Sequence, residues 1–288
     1  MKTRPYIIVT PAWSGRDDVR VLHTLCHELN ALGFDASLLL TAQAAPGAGP
    51  LLGPGLNTPV MNGLMDRHWA DLNEEAIVVY AGDVQGNPFG AKRVIRYVMA
   101  KEAPDTEAPA DEYRVYLSKS YPAKRQVFKR VLCLLPLDLG VFHAKGVTTR
   151  DQDMLWLGPD VQLEGEPPKQ LVSLTDSWPA SAEERADQLR RTRHLHSYQP
   201  GALVNFEAAL CGAVVILRKF NGSTATFRPD LELHETGSGG LAFSDTAFEI
   251  ERAARTRQEL IENLRYQQAS FRQRLLDFVS ETQLHFYK

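Results

Sequence analysis

The first forty residues alternate between two periodicities, and that alternation limits the folds open to the chain. An apolar run, YIIVT, is followed by the loop PAWSGRD. Val19, Leu22, Leu25, Cys26, Leu29 and Leu32 then recur at helical spacing, before Gly33 and a second apolar run, ASLLL. A strand, a helix and a strand in that order form a β-α-β unit, in which the two strands pair in parallel. Asp17 or Asp18 is placed to cap the helix and Gly33 to end it. The same alternation continues downstream. AIVVY reads as a buried strand, FGAKRVIRYVMA as a helix and YRVYLSKSY as a strand. A second series follows with DMLWLGP, QLVSLTD, the helix AEERADQLRRT, the strand HLHSY, a helix through LVNFEAAL and the apolar run AVVIL. Strands alternating with helices predict parallel, doubly wound sheets.

The 288 residues suffice for two such domains. The crossing falls in or just after KRQVFKRVLCLLPLDLGVF, giving domains over 1–145 and 146–265. AAPGAGPLLGPG and EAPDTEAPADE read as surface loops. From Asp245 onward the pattern is an amphipathic helix anchored by Phe248, Leu260, Ile261, Leu264, Phe271, Leu275 and Phe278. Its last part, 266–288, is expected to return to the N-terminal domain. Apolar residues make up 44% and charged residues 23%, an ordinary globular balance. A net charge of −3 gives no global attraction to nucleic acid or to an anionic membrane. Cys26, Cys133 and Cys211 lie among apolar residues and suit reduced, buried thiols in a cytoplasmic protein.

The stretch HSYQPGALVNFEAALCGAVVIL, ending at Leu217, carries the most pointed chemical signal. Glu207 has Leu203, Val204, Leu210 and Cys211 as its helical neighbours, so a carboxylate stands inside an apolar stripe. In an open parallel sheet, ligands sit beyond the C-terminal ends of the strands. The amides of the turn beginning around Gly201 suit a phosphate, and a carboxylate two turns into the helix suits ribose hydroxyls. An ion pair with Arg190 or Arg218 is the competing account. Gly15, in the first β-α turn, can likewise bring amides to a phosphate, but no G-x-G-x-x-G fingerprint is present. His23 and His27 lack the H-E-x-x-H order of a zinc peptidase and read as a partly exposed helix face. His194 and His196 share one strand face, with His196 near the crevice. Lys119, Lys124, Arg125, Lys129 and Arg130 form a basic cluster, either a solvated face or a contact for a membrane surface.

Two segments carry a resemblance. SYQPGALVNFEAALCGAVVIL resembles the donor-binding segment of bacterial GT-B glycosyltransferases, and IVVYAGDVQGNPFGAKRVIRY resembles a second segment of the same group. The start, SGRDDVRVLHTLCHELNALGFDASLL, resembles the N-terminal glycine turn and helix of these enzymes, and weaker similarity runs through TDSWPASAEERADQLRRT and GLAFSDTAFEIERAART. The resemblance implies two Rossmann-like domains facing across a cleft, with the C-terminal helix packing back on the N-terminal domain.

It further implies transfer of a sugar from a nucleotide-sugar donor to a polysaccharide or other glycoconjugate, with retaining chemistry favoured over inverting. No cofactor or metal is expected. Donor binding falls to Gly15, Ser197, Tyr198, Gln199, Gly201, Ala202, Leu203 and Glu207. The acceptor or sugar side falls to Ser14, Asp83 and Asn87, and the catalytic candidates are Asp83 and Gln199. The chain departs from the family pattern in four places, one being YAGD where YPE is usual, which leaves Asp83 as the nearest carboxylate. Gln199 stands where the first of two glutamates is usual, Val214 replaces a proline, and LGPD replaces a phosphate-binding GKG turn, with Arg16 or Lys169 as substitute cations. These losses leave open a degenerate nucleotide-sugar-binding subunit, and the architecture also serves epimerases. The expected setting is cytoplasmic, with peripheral contact at the inner membrane surface, and nucleic acid is disfavoured as a partner.

Overall fold

The computed structural model describes residues 3–41, 50–61, 71–103, 112–123, 130–158, 171–218, 233 and 235–287. The chain divides into two compact units, Met1–Leu134 with Gln268–Lys288, and Leu135–Gln267.

The first unit is built on β1 (Tyr6–Thr10), β2 (Ala36–Leu40), β3 (Ile77–Ala81), β4 (Val94–Val98) and β5 (Tyr113–Tyr116). They pair in parallel throughout, in the order β2-β1-β3-β4-β5. Every residue of β1, β3 and β4 is buried, which explains why these strands read as continuous apolar runs. Helix α1 (Asp17–Ala31) buries Leu22, Leu25, Cys26 and Leu29 in the core shared with Tyr6 and Ile8. Its cap differs from expectation. Arg16 is the N-cap residue and makes no side-chain cap; Asp17 and Asp18 lie inside the first turn, where their charge complements the helix dipole. Asp18 instead receives a bidentate bond from Arg16, at 3.1 and 2.8 Å.

The helix expected over FGAKRVIRYVMA is absent. VIRYV is strand β4, a β-branched and aromatic run entered through the turns at Gly86 and Gly90. Lys92 pairs with Glu74 at 2.6 Å, while Arg96 is buried.

The second unit holds β6 (Gln152–Trp156), β7 (Val172–Leu174), β8 (Thr192–Ser197), β9 (Val214–Leu217) and β10 (Leu241–Ala242). Its order, β10-β9-β8-β6-β7, is again all parallel. Counted within each unit, both sheets have the order 2-1-3-4-5, whose strand order reverses direction between the first and third strands. Helix α2 (Ala182–Arg191) begins at Ser181, whose hydroxyl accepts from the amide of Glu184. Helix α3 (Leu203–Leu210) is buried on all eight residues.

Helix α4 (Ala247–His285) contributes to both cores. Ala253, Leu260 and Leu264 belong to the second unit, whereas Phe271, Leu275, Phe278, Val279 and Phe286 enter the core beneath β1. The Tyr6 and Thr282 hydroxyls bond at 2.7 Å, and Tyr113 donates to Glu281 at 2.9 Å. The end of α4 thus packs against the N-terminal strands, as expected. Phe248 does not act as an anchor: it is 72% exposed.

Candidate functional site

In the second unit the order reverses between β6 and β8, where a parallel sheet opens a crevice beyond its C-terminal edge. Trp156 and Ser197 end those strands side by side. The Trp156 indole N–H donates to the side-chain oxygen of Gln199 at 3.2 Å, so one side chain bridges the gap. An indole is a donor only, which fixes Gln199 as the acceptor through oxygen and leaves its amide N–H groups as donors. Gly158 lies directly beneath. A Cβ there would stand 2.6 Å from the Gln199 oxygen, and its φ of +82° is one that side-chain-bearing residues rarely adopt.

The turn after β8 is tied down from within. Ser197 is fully buried and its hydroxyl bonds both the carbonyl and the amide of Gln199, at 3.3 and 3.4 Å. Tyr198 donates its amide to the Trp156 carbonyl at 3.0 Å. Asn205 donates to the carbonyls of Gln199 and Pro200, at 2.8 and 3.0 Å, while its side-chain oxygen is buried without a hydrogen-bond partner. Ala202 supplies no side-chain cap to α3. Gly201 adopts no positive φ, nor does Gly15, so neither turn depends on glycine for its backbone angle.

Glu207 is fully buried on α3, and its carboxylate lies 3.5 Å from the Arg185 guanidinium on α2. The ion-pair partner is therefore Arg185, not Arg190 or Arg218. Arg190 bonds Asp187 at 2.5 Å and the Val141 carbonyl at 3.0 Å. Arg218, just past β9, bonds Asp245 at 2.5 Å and the Nδ1 of His196 at 3.1 Å through Nε. A guanidinium can only donate, so His196 Nδ1 accepts and the ring proton sits on Nε2. Burial, and then the Arg218 charge, hold His196 below its ordinary pKa. On the same strand face His194 bonds Asp153 at 3.2 Å.

The corresponding reversal in the first unit lies between β1 and β3, under the loops at 11–16 and 82–93. Asn87 is spent on the second loop itself. It accepts from Tyr80 and from the Ala91 amide, both at 3.0 Å, and donates to the Ala91 carbonyl at 2.8 Å. Arg96 reaches up from β4, donates to the carbonyls of Val84 and Gly86, and pairs with Glu112. Asp83 is exposed at the loop's surface, and Ser14 and Gly15 are half-buried.

His23 is not a partly exposed face residue. It is fully buried, with Nε2 at 3.1 Å from the Pro11 carbonyl and Nδ1 without a hydrogen bond, because α1 turns it under the first β-α loop. Burial lowers its pKa. His27 accepts from the Asn57 amide at 2.8 Å. Of the basic cluster, Lys124, Arg125 and Lys129 lie outside the described residues, as does Lys169; Arg130 stacks over Tyr113 at 4.0 Å. No described helix is long and apolar enough to cross a membrane.

Three contributors to the site, Trp156, Arg185 and Asn205, escape sequence reading, and Gly158 enters it only within LGPD. Only Asn205 leaves a local signal, as a polar residue in the first turn of an otherwise apolar helix.

Two doubly wound parallel sheets, with a long helix packed on the N-terminal strands, constitute a GT-B-like fold. The structural comparison agrees. An alpha-glucosyltransferase solved with UDP and a 13-mer DNA containing an A:G mismatch superposes with a TM-score of 0.54 at 13% identity, over 97% of this chain and 100% of that one. The glycosyltransferase SnogD from Streptomyces nogalater gives 0.44 at 15% identity over 91% and 96%. A UDP-N-acetylglucosamine 2-epimerase structure from Listeria monocytogenes gives 0.47 at 13% over 95% and 91%. The first of these carries the fold assignment. No family model matches the sequence, and no curated protein does.

Proposed function

We propose that the chain is a glycosyltransferase that takes a sugar from a nucleotide-sugar donor and passes it to a polysaccharide or other glycoconjugate. The carrying observation is the Trp156–Gln199 bond at the β6/β8 reversal, which turns the Gln199 N–H groups outward beside the start of α3. Amide donors and a helix N-terminus at a sheet's C-terminal edge suit a diphosphate. In this reading the donor is held by Gln199, Tyr198 and the backbone from Gly201 to Leu203, with Ser197 as a brace. Glu207 faces the ribose side, with Arg185 as its counter-ion. The acceptor meets the first unit at Ser14 and Asp83, and Asn87 shapes the loop that carries Asp83.

Catalysis is positioning plus stabilisation of the leaving diphosphate by fixed donors. The family resemblance favours a retaining, metal-independent reaction in the cytoplasm or at the inner membrane surface.

A panel of nucleotide sugars tests this. One donor should raise Tm saturably and release its nucleotide when an acceptor glycan is supplied. Absence of stabilisation by every nucleotide sugar and nucleoside diphosphate would sink it. A second reading, a binding subunit without turnover, is favoured by Gln199 itself, which keeps hydrogen bonding where the related enzymes carry a charge. Saturable binding with no nucleotide release on any acceptor would select that reading. The DNA in the superposed glucosyltransferase complex makes duplex DNA a worthwhile acceptor in the same assay.

A further inference from the structure

At the N-terminal edge of the second sheet, away from Gln199, two arginines converge on one glycine. Gly212 follows the C-cap of α3 with φ +89°, and the amides of Gly212 and Ala213 return to the carbonyls of Ala209 and Ala208 to close the helix. A Cβ on Gly212 would lie 2.3 Å from Nη2 of Arg150, 2.6 Å from Nη1 of Arg257 and 3.1 Å from the Ala144 methyl. Both guanidinium nitrogens reach the same point, which puts them less than about 5 Å apart, well inside the range of direct charge repulsion.

Arg150 cannot swing away. Nη1 donates to the carbonyls of Arg190 and Thr192, at 2.9 and 2.8 Å, and Nη2 to that of Cys211 at 2.8 Å. Arg257 projects from α4 and is only partly buried. Neither guanidinium meets a carboxylate among the described residues, and neighbouring Arg190 is already paired with Asp187. Burial and the Arg257 charge together lower the pKa of Arg150, in keeping with two cations lacking a counter-ion.

We propose that Arg150, Arg257 and the bare Cα of Gly212 form a binding site for a phosphate-class oxyanion, separate from the donor site. Two oxygens of one such group can each accept a charge-assisted bond of about 2.8 Å from a different arginine, replacing repulsion by a bridge. The fixed Arg150 fork supplies pre-organisation, and the missing Cβ of Gly212 is what lets both guanidinium groups come this close to the backbone. The same chemistry is offered by free phosphate and by the phosphate of a small sugar phosphate.

Thermal denaturation of the full chain tests the site, with inorganic phosphate and glucose 1-phosphate titrated separately against chloride at constant ionic strength. Tm should rise saturably with at least one probe. The rise should vanish in Arg257→Gln, survive in part in Arg257→Lys, and persist in Gln199→Ala. Saturation at tenfold lower glucose 1-phosphate would identify the sugar phosphate as ligand; equal potency would identify the phosphate group alone. A non-saturating rise, or an undiminished one in Arg257→Gln, overturns the proposal. UDP titrated into Arg257→Gln keeps the two sites apart, because with the phosphate site removed a UDP response reports the donor site alone, and failure of the donor reading abolishes it while the parent chain keeps its phosphate response.

Discussion

The side-chain oxygen of Gln199 accepts the Trp156 indole N–H at 3.2 Å, and that single bond decides which end of the amide faces the crevice. Were the oxygen turned outward, the residue would accept hydroxyls as a glutamate does. Turned inward, it leaves donors for an anion. Gln199→Glu therefore replaces donors with negative charge, and donor KM should rise about 10- to 100-fold, the worth of a hydrogen bond to a charged group. Trp156→Phe frees the amide to rotate and should raise KM less, with kcat nearly unchanged. Steady-state kinetics on the two variants, checked by nucleotide-dependent Tm, measures both.

Glu207 and Arg185 form a buried pair, and removal of the Glu207 carboxylate takes away the counter-charge of Arg185. Glu207→Ala should cost about 3 kcal/mol in urea denaturation. The double variant Glu207→Met, Arg185→Met should recover most of that. Nucleotide affinity measured in the recovered protein separates the two roles of Glu207: a loss supports ribose contact, and no change leaves it a packing residue.

Gly158→Ala introduces both an unfavourable φ and a methyl 2.6 Å from the Gln199 oxygen. A destabilisation of about 1–2 kcal/mol is expected from the backbone alone. Donor KM should rise with it, since the amide is displaced.

Two histidines set an acid limit on stability. His23 and His196 both have pKa values lowered from the ordinary 6.5, chiefly by burial. Above 6.5 neither folded nor unfolded chain holds the extra proton, so the full stability is present. As pH falls below 6.5 the unfolded chain takes protons that the folded chain refuses, and stability is lost down to the folded pKa values. Tm followed from pH 7.5 to 5 should fall, and His23→Gln should flatten part of the slope.

The thiols give a check on packing. Burial pushes Cys26 and Cys211 up to about 12, and Cys133 is buried as well. At pH 8 a thiol reagent should leave the native chain unlabelled and modify three cysteines only after denaturation.

Much of the architecture was legible because burial on both faces forces continuous apolar runs, as in β1 and β3. The failure at β4 has the same root. VIRYV is buried throughout, and a short apolar run carries no periodicity to tell strand from helix. Of the site, Gln199 and the start of α3 could be found from their place after a strand. Trp156 and Gly158 could not, because they meet Gln199 through parallel pairing of strands some forty residues apart. Arg185 was hidden for a related reason: i+3 and i+4 reasoning sees only partners on the same helix, and this one lies on α2. His23 was misplaced because its burial comes from the loop above α1 and not from the helix's own stripe.

Helix α4 has a consequence for synthesis on the ribosome. Residues 135–267 make up one unit without interruption, whereas the other recruits Gln268 onward to seal the core under Tyr6 and Ile8. The N-terminal sheet is therefore translated first and completed later. Until Phe271, Leu275 and Phe278 emerge, the core that α1 shares with Tyr6 and Ile8 lacks the side chains that complete it, and the central unit has every residue it needs in hand. Order of manufacture and order of completion are reversed, which leaves the nascent first sheet with an unfinished core for the longest time.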